Sequence, residues 1–148
     1  MNQALQGLLD LLDLEQIEED IFRGQSRSAV VPRVFGGQVA AQALVAAGRT
    51  VPEDRTAHSL HAYFLRMGDP GAPIVYTVDR IRDGRSFTTR RVVAVQHGAP
   101  IFHLSASFQT YVDGPEHLGS RVTSVGSSGE GLFLVWRTEG WRVRYVSV

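Results

Sequence analysis

The stretch Arg-Val-Phe-Gly-Gly-Gln-Val-Ala-Ala-Gln-Ala-Leu-Val-Ala-Ala-Gly-Arg-Thr-Val, residues 33–51, decides how this chain folds. It opens on paired glycines and then runs apolar on every face, the pattern of a helix enclosed in a core. Its apolar residues are mostly small: Ala40, Ala41, Ala43, Ala46 and Ala47 stand beside Val39, Leu44 and Val45. Small side chains let another backbone layer approach from several directions. Residues 35–48 are therefore predicted to form one long central helix, with Gly48 and Pro52 as its stop.

Before the helix, Leu5, Leu8, Leu9 and Leu12 follow the spacing of an amphipathic helix that ends near Leu14. An acidic Glu18-Glu19-Asp20 segment leads into Ile21-Phe22-Arg23-Gly24, a short strand, and residues 25–32 are polar and irregular. After the helix come four strand patterns. Residues 57–65 alternate Leu60, Ala62 and Phe64 against Ser59, His61 and Tyr63. Asp69-Pro70-Gly71 is a turn, and residues 74–81 are rich in β-branched side chains. Asp83-Gly84 signals a hairpin into residues 85–96, where Phe87, Thr89, Arg91, Val93 and Val95 share a face. His97-Gly98-Ala99-Pro100 turns the chain into residues 101–109, with Phe102, Leu104, Ala106 and Phe108 on one face. One long enclosed helix before a run of antiparallel strands predicts an α+β fold with the sheet curled around the helix.

The chain has 148 residues, enough for one real core, and an ordinary globular composition of 43% hydrophobic and 20% charged residues. Its formal net charge of zero gives no electrostatic case for nucleic acid or an anionic membrane as partner. All fifteen basic residues are arginine, read as codon bias of a GC-rich genome. Cysteine is absent, which removes disulfides, thiolate nucleophiles and cysteine-ligated metals. The first thirteen residues lack the basic start of a secretory signal, and no apolar run reaches membrane-spanning length. A cytoplasmic protein is expected. Residues 1–112 are read as the folded domain and residues 113–148 as an atypical tail. Within that tail, residues 119–131 are a Gly/Ser-rich linker, and residues 132–148 an apolar and arginine-containing run with no continuation of the earlier pattern.

Few residues carry a chemical signal. His58-x-x-His61 has two imidazoles, but residues three apart on a strand point to opposite faces, so no metal is expected there. His58 alone could line a polar cleft or be a hydrogen-bonded structural residue. Gly36, Gly37 and Gln38 read in two compatible ways. They allow close packing, and they also leave the first helical N–H groups free to receive an oxyanion. A buried helix with such an open start, followed by strands to wrap it, points to an acyl-thioester site. Arg85, Arg90 and Arg91 flank the hairpin and suit the phosphates of coenzyme A, or else are solvent-facing charges that protect a strand edge. Ser105, Ser107 and Gln109 alternate on one face of the last strand, towards solvent or a substrate channel. No Ser-His-Asp grouping and no G-x-S-x-G elbow stands out.

Several blocks resemble the acyl-CoA thioesterase II family of double-hotdog enzymes. They are Leu-Asp-Leu-Glu-Gln-Ile-Glu-Glu-Asp-Ile-Phe-Arg-Gly-Gln-Ser at 12–26, Val-Phe-Gly-Gly-Gln-Val at 34–39 and His-Ser-Leu-His-Ala-Tyr-Phe-Leu-Arg at 58–66. Arg-Asp-Gly-Arg-Ser-Phe at 82–87, Arg-Arg-Val-Val-Ala-Val-Gln at 90–96 and Ala-Ser-Phe-Gln at 106–109 complete the set, in family order. The resemblance implies a hotdog fold and hydrolysis of fatty acyl-CoA to free acid and coenzyme A, without metal or cofactor. It also implies a limit, because the family's catalytic Asp, Thr or Ser, and Gln lie in a second hotdog repeat. By repeat symmetry Gln109 takes the place of the Gln, while the Asp position falls near Ala40 or Ala41. No catalytic residue is carried over. Gly36, Gly37, Gln38, His58, Arg85 and Gln109 remain as substrate-binding candidates.

The expectation is thus an acyl-CoA thioesterase truncated to its first repeat, active in fatty acid metabolism, and weak or inactive alone. Its partners would be acyl-CoA and either a second copy, making a dimer, or a complementary hotdog. The tail after Thr110 fits a frameshifted or spliced product, or a true short variant. The alternative is a non-catalytic acyl-CoA-binding or structural half. Enoyl-CoA hydration would need an Asp and a His on the helix and adjoining strand, and Val39 to Ala47 contains neither.

Overall fold

The computed structural model describes residues 3–26, 33–111, 131–137 and 140–146. The chain divides into two compact units, Met1–Val112 and Asp113–Val148. In the first unit the elements run α1 (Gln3–Leu12), β1 (Glu15–Glu18), β2 (Ile21–Gly24), α2 (Gly36–Gly48), β3 (Arg55–Phe64), β4 (Ile74–Asp83), β5 (Phe87–Gln96) and β6 (Ala99–Thr110). The six strands form one antiparallel sheet in the order β1-β2-β4-β5-β6-β3. Helix α2 lies against β2, β3, β4, β5 and β6, so the sheet curls around it as expected.

Alternation along the strands fixes the inner face. Val92 and Ala94 of β5 stand beside Leu104 and Phe102 of β6, and all four are buried. Tyr76 and Val78 of β4 continue the layer, with Phe22 of β2 opposite Tyr76. Against them α2 buries Val39, Gln42, Ala43, Ala46 and Ala47. Leu44 and Val45 are only half-buried, so the helix has one enclosed face and one partly covered face.

The turn between β5 and β6 is tighter than the sequence pattern implied. His97 and Gly98 have φ values of 50° and 74°, the two-residue turn whose twist matches a hairpin. Ala99 and Pro100 consequently belong to β6, pairing with Gln96 and Val95. Strand β1 is an addition. Its four residues are all exposed and pair with β2 alone, so no apolar period marks it.

The second unit holds a hairpin that the sequence reading did not anticipate, β7 (Gly131–Arg137) with β8 (Gly140–Val146). The signal was present: Trp141, Val143 and Tyr145 alternate with Arg142 and Arg144. Of the expected linker at 119–131 only Gly131 is described, and it opens β7; the rest, and the loop at 27–32, lie outside the described residues.

Candidate functional site

An open groove of about 850 Å³ lies at the N-terminus of α2. Phe35, Gly36 and Val39 form one wall, the segment from Phe64 to Gly68 the other, and Ile101 and Phe102 the floor. The Phe64 and Phe102 rings pack at 4.9 Å. Several bonds hold the second wall in place. The N–H groups of Leu65 and Arg66 both donate to the Ile101 carbonyl, at 2.8 and 3.1 Å, and Val34 N–H donates to the Gly68 carbonyl at 3.0 Å. Gln96, nearly fully buried, anchors the chain just beyond. Its Oε1 accepts from Asp69 N–H at 2.8 Å, and its Nε2 donates to the carbonyls of Asp69 and Ala72 at 2.9 and 2.8 Å.

The lining is mainly apolar, with Arg33 and Arg66 also on it, and the helix end is polar. Phe35 occupies the cap position and gives the helix no side-chain cap. Gln38 and Val39 N–H groups turn back to the Phe35 carbonyl at 3.0 and 3.4 Å. Gly36 and Gly37 follow Phe35 in the first turn, where N–H groups have no intrahelical partner, and Gly36 lines the groove. Both glycines also lie close to aromatic rings that a larger residue would displace. A Cβ on Gly36 would lie 3.0 Å from the Phe64 ring, and one on Gly37 2.5 Å from the Phe35 ring. The two readings of the pair are compatible in the structure. Gln38 does something else: its Nε2 donates to the Gln25 carbonyl at 3.2 Å and to Ser26 Oγ at 3.3 Å, bracing the preceding loop.

A polar node missed by the sequence reading lies one turn deeper. Gln42 is fully buried; its Oε1 accepts from the Tyr76 hydroxyl at 2.7 Å, and its Nε2 donates to the carbonyls of Leu11 at 2.7 Å and Gln25 at 3.1 Å. Burial raises the Tyr76 pKa far above its ordinary value, so the phenol stays a neutral donor. The node requires Gly24, whose Cβ would come within 2.6 Å of Gln42 Oε1. A glutamine in the middle of an otherwise apolar helix was the available signal, because a buried amide must find partners.

The remaining candidates lie elsewhere. His58 Nε2 is 2.8 Å from Ser107 Oγ, and its ring meets Phe87 edge-on at 5.6 Å. His61 stands opposite Ser105 and packs on Tyr63. Both histidines therefore share the outer face of the sheet, contrary to expectation. A register shift between Ala57 and Ser59 changes the phase of the strand between them. The rings still go to different neighbours. Among the described residues no three His, Cys, Asp or Glu side chains are grouped to hold a metal.

Gln109 pairs with Thr56 and Phe87 on that outer face, as do Ser105 and Ser107 with His61 and Ser59. Arg85 is exposed in the loop between β4 and β5, and its carbonyl accepts from Arg55 Nη2 at 3.1 Å. Its two companions from the hairpin are engaged. Arg90 is 1% exposed and bonded to Thr50 Oγ1, the Thr50 carbonyl and Asp83, while Arg91 pairs with Asp79. Arg90 shares the inward phase of Val92 and Ala94, which explains its burial.

The candidates therefore form two groups. Gly36 abuts Phe64 at one end of β3, whereas Gln109 pairs with Thr56 at the other, about 25 Å away at the usual strand rise.

Six antiparallel strands curled around one long helix, with a groove at the helix start, define a hotdog-type domain. Solved structures agree. Acyl-CoA thioesterase II TesB2 from Mycobacterium marinum superposes with a TM-score of 0.70 at 47% identity, covering 84% of this chain and 46% of that one. The PaaI protein of E. coli, 15% identical with a TM-score of 0.58, shares the fold over 72% of this chain and 89% of its own. Residues 25–109 match the family described as the acyl-CoA thioesterase N-terminal domain, and the chain belongs to that family.

Among curated relatives, acyl-CoA thioesterase 2 of Haemophilus influenzae is 50% identical over 117 residues, which is 79% of this chain and 41% of that protein. Human acyl-coenzyme A thioesterase 8 is 54% identical over 99 residues, 67% of this chain and 31% of that protein. The chain spans less than half the length of these relatives. No helix among the described residues is long and apolar enough to cross a membrane.

Proposed function

We propose that this chain supplies one half of an acyl-CoA thioester hydrolase. The observation that carries the reading is the mainly apolar groove running to the uncapped N-terminus of α2. An acyl chain suits the Phe64 and Phe102 lining, and a thioester carbonyl at the helix start would meet the Gly36 and Gly37 amides. Those fixed donors stabilise the oxygen as it becomes negative when water attacks. Water loses a proton, the thiolate leaves and takes one, and the products are the free acid and coenzyme A. The same proposal includes a role in fatty acid metabolism, which an acyl-CoA substrate implies, and a cytoplasmic location.

The two candidate groups can meet only between hotdog units. Strand β3 is an outer strand of the sheet, with Leu60 and Phe64 exposed on its helix-facing side. A second hotdog paired antiparallel along β3, about a two-fold axis near Leu60, brings the Thr56 end of one unit against the Phe64 end of the other. His58 and Gln109 of one unit then lie on the outer face of the joined sheet, at the strand end that borders the neighbour's groove. The neighbour is a second copy in a dimer or a complementary hotdog chain.

Among the described residues no general base lies at the groove: positions 39–41 offer Val39, Ala40 and Ala41, and no described Asp or Glu lines the cavity. This observation favours the second reading, a non-catalytic acyl-CoA-binding half. Loss of general-base assistance costs about 10²–10⁴-fold in rate. The test is thiol release from medium-chain acyl-CoA by the chain alone and by a fusion to a second repeat. Turnover by the fusion at least about a hundredfold above the chain alone supports the half-enzyme. Acyl-CoA binding without turnover in either protein establishes the binding role. Equal turnover in the two would show a complete site within this half.

A further inference from the structure

The chain is neutral overall, and its arginines are unevenly matched with carboxylates. Arg23, Arg49, Arg80, Arg90 and Arg91 each pair with Asp or Glu. Five further arginines among residues 33–111 make no ion pair: Arg33 and Arg66 line the groove, whereas Arg55, Arg82 and Arg85 lie at the loop 84–86 between β4 and β5. Arg55 gives its guanidinium to neutral oxygens, Thr88 Oγ1 at 2.6 Å and the Arg85 carbonyl at 3.1 Å, and its Nε is buried without a partner. Arg82 folds over the loop, since a Cβ on Gly84 would lie 3.2 Å from its Nε. The loop is closed by Gly84 N–H donating to the Phe87 carbonyl at 2.9 Å. The carboxylate within the hairpin end, Asp83, is engaged by buried Arg90. Glu53 and Asp54 precede Arg55 on an exposed turn and bond to none of the three.

We propose that Arg55, Arg82 and Arg85 form a binding site for a phosphorylated nucleotide, the bisphosphorylated adenosine portion of a coenzyme A thioester. The Arg55 and Arg82 guanidinium groups lie against the loop that carries the exposed Arg85, a concentration of positive charge without carboxylate partners that favours an anion, and fork-shaped donors match phosphate oxygens. Carboxylates of the same chain do not fill that role here. Arg85 is fixed by its backbone, which leaves its side chain available, and Arg82 approaches from the neighbouring strand. The position also suits a long ligand. The cluster sits at the Thr56 end of β3, so in the paired arrangement it lies beside the neighbouring unit's groove, phosphates on one hotdog and acyl chain in the other. That last placement rests on the function proposed above; the anion site itself does not.

The test uses adenosine 3′,5′-bisphosphate, which has neither thioester nor acyl chain, titrated calorimetrically into the full chain. Adenosine is the control. Binding should be seen for the bisphosphate and not for adenosine, and should weaken as salt screens the arginines. Arg82→Gln with Arg85→Gln should raise the dissociation constant at least about tenfold, the loss expected for charge-assisted bonds. Both side chains are exposed, so an unchanged thermal midpoint confirms that the variant is folded. An affinity indifferent to these substitutions, or no bisphosphate binding by the parent chain, overturns the site. A fusion that hydrolyses acyl-CoA while the arginines prove irrelevant would refute this inference alone. Arginine-dependent bisphosphate binding without hydrolysis by any fusion would sustain it and refute the enzyme reading.

Discussion

The Tyr76 hydroxyl donates a 2.7 Å hydrogen bond to Gln42 Oε1, joining the centre of β4 to the enclosed face of α2. Through its amide, Gln42 then reaches the Leu11 carbonyl at the end of α1 and the Gln25 carbonyl beyond β2. One buried side chain thus ties four segments together, and Gln38 a turn earlier braces the same loop at Gln25. The groove wall at Phe35 follows directly from that loop and from the helix it precedes.

Removing the amide should be costly. Gln42→Leu keeps the volume but strands the Tyr76 hydroxyl and two carbonyls, an expected loss of about 2–3 kcal/mol in unfolding free energy. Urea denaturation measures it, and a loss below about 0.5 kcal/mol would show that the node is dispensable. Tyr76 adds a pH signature. Its pKa is raised above 10.0 by burial, so its contribution is complete below pH 10 and falls as pH rises beyond it, where only the unfolded phenol ionises. Tyr76→Phe should flatten that alkaline decline.

Much of this architecture is legible in the sequence, because burial follows period. The α2 segment and strands β3 to β6 show their apolar phases, and the family blocks lie on them. What escaped has physical reasons. Strand β1 buries nothing, so Glu15-Gln16-Ile17-Glu18 carries no pattern. The shift at Ala57/Ser59 moves His58 to the outer face, and a bulge leaves no compositional mark. Arg90 looked like a surface charge although its phase with Val92 points inward. The convergence of Arg55 with Arg82 and Arg85 depends on strand order, which brings the start of β3 to the β4–β5 loop.

Overpacking tests the enclosure of α2. Ala43 has no exposed surface and faces the sheet in a layer of small residues. Ala43→Phe should cost about 1–3 kcal/mol, because neighbouring strands cannot move apart without losing their own contacts. An unchanged denaturation midpoint and slope would refute this packing.

The second groove wall carries its own titration. Asp69 Oδ2 lies 2.9 Å from His97 Nε2, and Asp69 Oδ1 accepts from Gly71 N–H at 2.8 Å. The His97 bond, and then the Gly71 bond, hold the Asp69 carboxyl below its ordinary 3.8. Its stabilising effect is therefore present above pH 3.8 and is lost as acid protonates it below that value. The Gly71 amide resonance should titrate with a midpoint under 3.8, and His97→Ala should move the midpoint upward. A midpoint indifferent to that substitution would show that the pair does not act on the loop.

The free edge of β3 should make the chain associate. Its inner side exposes Leu60 at 45% and Phe64 at 63%, continuous with Phe35 and Met67 at the groove mouth. Unpaired strand groups beside an apolar patch invite a two-fold partner, since the same surface then satisfies itself. Near such an axis Leu60 of one copy lies close to Leu60 of the other. Leu60→Lys consequently removes apolar contact and places like charges together, while leaving the monomer core untouched. The dimer should weaken by about 2–3 kcal/mol, or roughly thirty- to a hundredfold in dissociation constant. Sedimentation equilibrium reads the effect, with circular dichroism to confirm the fold. A parent chain that stays monomeric at high concentration would sink the pairing, and a dimer untouched by Leu60→Lys would place the interface on some other face.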